Sequence, residues 1–233
     1  PSAPYGHDGR WRWMLYDTDF GFGFDGGPKN AEINSLLAAI HPDWHDWAGL
    51  LFRSLLENPD FRANFVTRFA DHINTSFEPQ RVTNEIDQMQ SVIAPEIEEH
   101  IRRWRGSEAA LEEWQDSVEV MRGFAAYRPE NVQQHLSDYF ELGSPVKIHL
   151  QTDSRMGYIR INTIDLIEST PGVTDPASWT GTYFAGLPVE ITAIPYPGYQ
   201  FAAWETPDGA IQSETLSLTL DQDTPLTAVF TVE

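Results

Sequence analysis

The chain predicts an α+β protein of two unlike parts: a mostly helical front with a short β element at its start, then a small all-β tail. Three observations carry this reading. Apolar residues recur at spacings of three and four from about Asp43 to Phe140, as on helices with one buried face. From Val146 onward they alternate with polar residues, as in strands with one buried side. Between the two stretches stands Gly143-Ser144-Pro145, a breaker that neither pattern tolerates. The expected division is therefore 1–143 and 144–233.

The first element is a strand, Arg10 to Tyr16, that runs into Asp17, Asp19 and the alternating Phe20-Gly21-Phe22-Gly23. Side chains two apart on a strand share a face, so Asp17 and Asp19 are expected side by side. Neighbouring carboxylates repel unless a cation or a basic group lies between them. Such a pair suits Mg²⁺, which proteins hold by one or two carboxylates together with substrate phosphates. The plainer reading is a pair of solvated turn residues. Gly21 and Gly23 allow a sharp turn or a close approach to a ligand. Trp11 and Trp13 flank Arg12. They could form a carbohydrate platform, but an alternating pair more often fills the core face of a sheet.

The helical front divides at its own signals. Trp44, Trp47, Leu50, Leu51 and Leu55 mark one helix. Asn58-Pro59 starts the next, with asparagine as N-cap and proline at the first helical position, and Phe61, Phe65, Phe69 and Ile73 form its stripe. Val82, Ile86, Met89 and Ile93 mark a third, which Pro95 should kink or restart before Ile97, Ile101 and Trp104 continue it. Trp114, Val118 and Met121 mark a fourth, and Arg128-Pro129 opens a short fifth with Val132, Leu136 and Phe140 inward. His41 and His45, with Asp43 and Asp46, have the spacing of a helical metal pair. Pro42 at the helix start leaves His41 in the loop, so helix-dipole partnership is the better account of these acids. Glu96, Glu98 and Glu99 would complement the dipole of a segment restarting at Pro95 and read first as a solvated face, with Arg102, Arg103 and Arg105 near that segment's C-terminal end.

In the tail, Val146–Gln151, Tyr158–Asn162, Leu187–Ile194, Tyr199–Trp204, Leu216–Leu220 and Leu226–Val232 read as strands separated by Gly, Pro and Asp. Tyr199, Phe201 and Trp204 supply the apolar bulk that so small a domain needs, with Trp204 as a core anchor.

Hydrophobic residues at 41% and aromatics at 12% suffice for packed cores and exclude a disordered polymer. The formal charge of −20 argues against nucleic acid as a partner, which needs clustered Lys and Arg. No run approaches a membrane-spanning length. The absence of cysteine excludes thiolate metal sites and thiol nucleophiles.

The pattern W-x-W-x-x-[WY]-D-x-D-x-x-F-G, formed by Trp11, Trp13, Tyr16, Asp17, Asp19, Phe22 and Gly23, resembles the CotH-like kinase family. Trp47, Leu50-Leu51, Asn58-Pro59-x-Phe61-Arg62, Arg68, the stretch Pro95 to His100 and Trp104 extend the likeness over about residues 5 to 142. The resemblance implies a helical part like a kinase C-lobe, from an atypical kinase that uses ATP and a divalent metal, Mg²⁺ or Mn²⁺, to phosphorylate Ser or Thr of a protein. It assigns Asp17 and Asp19 to metal and nucleotide phosphates. The Asp19-Phe20-Gly21 spelling favours Asp19 as the direct ligand, and the first acid of the family pattern favours Asp17. In the family the nucleotide-cradling lobe, its lysine and the proton-accepting aspartate precede this strand, before which only about ten residues stand here. Either the chain is a piece of a longer protein whose nucleotide-cradling lobe lies upstream, or it is a degenerate relative; by itself it is expected to be inactive as a kinase.

Gly186-x-Pro-Val-x-Ile-x-Ala193, Pro197-Gly-Tyr-x-Phe201-x-x-Trp204 and Leu226-Thr-Ala-Val-Phe230 resemble an internalin-type B-repeat, a small bacterial β module. That likeness implies an extracellular or cell-surface setting, a signal peptide lying outside this chain, and a cell-surface partner for the β part. The rival to the kinase reading is a non-catalytic surface scaffold or adhesin-like protein.

Overall fold

The computed structural model describes residues 21–23, 27–41, 46–104 and 109–233. A short 3-10 helix, Gly27–Glu32, leads into five α-helices: α1 (Ser35–Ile40), α2 (Asp46–Leu56), α3 (Pro59–Ile73), α4 (Pro79–Trp104) and α5 (Ala109–Phe140). Nine strands follow: β1 (Pro145–Thr152), β2 (Gly157–Ile161), β3 (Ile164–Asp165), β4 (Ser178–Phe184), β5 (Pro188–Pro195), β6 (Tyr199–Thr206), β7 (Gly209–Ile211), β8 (Thr215–Thr219) and β9 (Thr224–Val232). The protein is thus a helical region followed by an all-β region, as its sequence predicts.

The start of α3 follows directly from its residues. Asn58 Oδ1 accepts from the backbone N–H groups of Asp60 and Phe61 at 2.9 and 3.0 Å, and Pro59 costs nothing where no helical donor is needed. The prolines further on act differently from the sequence expectation. Helix α4 runs unbroken through Pro95, and α5 runs through Pro129, so the expected fourth and fifth helices are one. At Pro95 the lost bond belongs to the carbonyl of Ser91. Both residues are exposed, so water can replace the missing donor. Glu96, Glu98 and Glu99 consequently lie within α4 and not at a helix start, so the helix-dipole account fails, while their exposure agrees with the solvated-face reading. Helix α1 is an element the periodicity did not mark.

Six strands coincide with the expected ones, and β3, β4 and β7 are additions. The strands form two sheets, ordered β4-β1-β9-β6-β7 and β3-β2-β5-β8. All pairs are antiparallel except β1 with β9. Ile148 and Leu150 of the first sheet and Ile159, Ile161 and Ile191 of the second meet in one buried cluster, which also takes in Val66, Ala70 and Leu136 from the helices. Alternate residues of β1 and β5 feed that cluster, as a pleat with one buried face requires. Trp204 is wholly buried there, its Nε1 donating to the carbonyl of Glu214 at 3.3 Å. A smaller cluster of Val82, Ile86, Val118 and Ala125 holds α4 to α5.

Candidate functional site

Asp17 and Asp19 lie outside the described residues, as do Arg10–Tyr16 with Trp11 and Trp13. The residues that follow them, 21–23, are described. Phe22 and Gly23 have φ of 54° and 86°, a left-handed turn that glycine adopts freely and phenylalanine only when its surroundings hold it there. The Phe22 ring packs on Phe124 of α5, centroids 5.4 Å apart. Both rings line a cavity of about 600 Å³ between α3 and α5, walled by Phe61, Phe65, Phe69 and Val132. Its polar groups are few: Asn64, Arg68, His72 and Arg128. A smaller cavity of about 280 Å³ adjoins it, sharing Phe65, Phe69 and Arg128 and adding His135.

Helix α3 therefore has two apolar faces. The expected stripe of Phe61, Phe65, Phe69 and Ile73 faces this groove; its three phenylalanines are only partly covered and Ile73 is buried, while Val66 and Ala70 carry the deepest burial. Pro129 deprives the carbonyl of Ala125 of a donor from position 129, and both residues line the groove.

Arg128 organises the segment that follows the acid loop. Its Nη1 donates to the carbonyls of Ala31 and Ile33 at 2.9 and 2.6 Å, and its Nη2 to Ser35 Oγ. The guanidinium also lies 5.8 Å from the Phe124 ring centre, a favourable cation–π placement. Burial lowers its pKa from the ordinary arginine value. His135 is likewise lowered, first by burial and then by Arg128. The sequence marks Arg128-Pro129 only as a helix start. Nothing local announces that this arginine reaches carbonyls almost a hundred positions back.

A second polar cluster escaped the sequence reading altogether. Asp71, on α3, is 1% exposed. Its Oδ1 accepts from Asn162 Nδ2 and Tyr183 OH, both at 2.8 Å, and its Oδ2 lies 3.5 Å from Thr163 Oγ1. Burial raises the Asp71 pKa above the ordinary value, opposed by the bonds from Asn162 and Tyr183 and by the charges of His72 and Arg68. Burial also raises the Tyr183 hydroxyl, and the adjacent carboxylate adds to that. The available signal was Arg68 and Asp71 one turn apart on α3, with Thr75 just beyond its end.

His41 follows α1 in extended backbone, and Asp43 and His45 lie outside the described residues. Among the described residues no group of three or more His, Cys, Asp or Glu is placed to hold a metal. Arg102 pairs with Glu99 one turn before it, and Arg103 lies 5.3 Å from the Trp104 ring centre. These are ordinary helix-surface partnerships.

Comparison with protein families gives two matches: the model of the family described as CotH kinase protein over residues 3–132, and that of the divergent InlB B-repeat domain over residues 167–233. No curated protein and no solved structure matches the chain. The first match contains the acid loop, the groove and Arg128. The second begins after β3, so strands β1 to β3 lie ahead of it.

Proposed function

The chain belongs to the CotH kinase protein family, and from that premise we propose that it supplies the metal-facing part of an atypical protein kinase, which transfers the γ-phosphate of ATP to Ser or Thr of a protein. Asp17 and Asp19 are the groups assigned to divalent metal, Mg²⁺ or Mn²⁺. Donor chemistry supports the fit. Two carboxylates are hard oxygen donors, and Mg²⁺ fills its remaining positions with water and phosphate oxygens. When bound, the metal offsets charge developing on the transferring phosphoryl group.

The residues that follow the acids in sequence are held to α5. Phe22 fastens the loop end to Phe124 three residues after Asp19, and Arg128 fixes the segment beyond through three bonds. A carboxylate pair held at a fixed place orients phosphates without reorganising during transfer. The observation that carries the reading is the contact of Phe22, which closes the D-x-D-x-x-F-G sequence run, with Phe124 of α5. The B-repeat match supports placing the protein outside the cell or at its surface, with the β module meeting a partner there. Among the described residues no helix is long and apolar enough to cross a membrane.

Two measurements test the proposal. Mn²⁺ added to the isotopically labelled chain should broaden the amide signals of Gly21 and Gly23, and Asp17→Asn with Asp19→Asn should abolish that broadening. In the full-length protein, radiolabelled ATP with Mg²⁺ should label a protein acceptor, and either substitution should remove the label. Undiminished transfer after both changes would make the acids turn residues. No transfer by the unaltered full-length protein would favour the surface-scaffold reading.

A further inference from the structure

The β module is held to α3 by an interlocking set of polar contacts. Asn162 and Thr163 form the two-residue tip between β2 and β3, since Ile161 pairs with Ile164. Asn162 has φ of 50°, a left-handed conformation that asparagine tolerates better than most residues. Its Oδ1 accepts from the Glu190 N–H at 2.9 Å, which aims its Nδ2 at Asp71. Thr163 Oγ1 accepts from Arg68 at 2.9 Å.

Strand β4 adds the rest. It is the edge strand of its sheet, with backbone groups facing away from β1 that need partners. Asn74 supplies them. Its Nδ2 donates to the carbonyl of Thr182 at 2.8 Å, and its Oδ1 accepts from the N–H of Thr182 at 2.9 Å. Tyr183 then reaches Asp71 from the same strand. The turn before β4 presses on the helix end so closely that a Cβ at Gly172 would lie 2.1 Å from the Thr75 carbonyl oxygen. These contacts come from α3, the turn at Gly172, β4 and the β2–β3 tip. The tip precedes the part of the chain that matches the B-repeat.

The adjoining face of α3 is the wall of the groove that seats Phe22, and Arg68, which donates to Thr163, lines that groove as well. We propose that the β2–β3 tip and Tyr183 form a docking device that clamps the module to α3 through Asp71, and so holds the α3 wall of the Phe22 groove in place. The module is then a brace for the helical region, with a fixed direction relative to it, instead of a bead on a tether. Asp71 makes the clamp selective. A buried carboxylate is costly unless donors surround it. Asn162, Tyr183 and Thr163 all come from the module, so withdrawing the module would strip Asp71 of each of them. This inference concerns conformation and stands independently of phosphoryl transfer.

Hydrogen–deuterium exchange on the whole chain, with Tyr183→Phe, tests it. The substitution removes one hydroxyl and keeps the ring. Exchange of α3 amides, and of α5 amides between 124 and 132, should accelerate roughly tenfold or more, the scale of a lost bond to a charged group. Strands β5 and β8 should keep their protection. Unchanged exchange in α3 and α5 would overturn the proposal. So would acceleration confined to α3, which would leave the groove independent of the clamp, or loss of protection in β5 and β8 alongside α3, which would mark general unfolding of the module. Asn74→Ala, which releases Thr182 and leaves Asp71's donors in place, should loosen the same segments less. It serves as the test should Tyr183→Phe fail to fold.

Discussion

Along α4, Val82 and Ile86 are buried while Met89, Val92 and Ile93 just beyond them are exposed, Val92 to 72%; in the β module, by contrast, Ile148, Ile161, Ile191 and Trp204 expose nothing. Both regions carry apolar residues at the period of their secondary structure, yet only one hides them. Geometry accounts for the difference. Two sheets enclose a core between their inner faces, so alternate residues of their long strands, such as β1 and β5, are covered by the facing sheet. Two helices joined as a hairpin share one seam, and residues beside it stay in solvent unless a third element covers them. The α4–α5 seam buries only Val82, Ile86, Val118 and Ala125, with Trp114 and Met121 partly covered. Periodicity therefore names the face of a helix without stating that anything packs against it.

Five measurements would break or sharpen this contrast. The largest effect belongs to Trp204, fully buried among both sheets. Trp204→Ala should destabilise the module by about 3–5 kcal/mol in denaturant unfolding, as a lost core aromatic does, and a change near zero would mean that the module core is not closed. Next is Gly172→Ala, at the contact between the two regions. Its φ of +81° disfavours a side chain, and the added Cβ meets the Thr75 backbone. A cost of about 1–3 kcal/mol is expected. Gly209→Ala, with φ of +127° and open space around it, should cost less, because only its backbone conformation objects.

Acid titration separates the regions further. Asp71 in the junction has its pKa raised by burial, whereas Asp153 in the β1–β2 turn is lowered to about 2 by its bonds from Arg155. The signs are opposite. A raised folded pKa means that the folded state keeps a proton the unfolded chain has lost. The contribution of Asp71 is thus full below the ordinary aspartate value and declines as pH rises through its folded pKa. The contribution of Asp153 is present above the ordinary value and disappears as pH falls toward about 2. Carboxyl-carbon NMR should show Asp153 titrating near 2 and Asp71 above 3.8; coincident midpoints would refute the junction's burial. The smallest effect is expected at Ile93 on α4. Ile93→Gln should shift stability by no more than about 0.5 kcal/mol, as surface changes do. A larger loss would show that another element covers this face in solution.

Much of this protein is determined by local sequence. Asn58-Pro59 specifies the start of α3 because a cap and a ring-locked φ act within a few residues. Alternation marks the six main strands because a pleat has period two whatever lies beyond it. The D-x-D-x-x-F-G run and the Gly-Tyr-x-Phe-x-x-Trp block indicate the two family likenesses before any coordinates exist. Other features were decided only by the fold. Pro95 and Pro129 read as breaks, yet both stand within continuous helices. Strand β4 was hidden because Gly181 interrupts its apolar pattern. That glycine is required by the Trp179 ring, which a Cβ there would meet at 2.2 Å. Arg128 and Asp71 acquire their roles from partners 91 to 112 positions away. A residue's helical or extended preference is set by its neighbours in the chain. Its hydrogen-bond partners, its pKa and its burial are set by whatever the fold brings beside it.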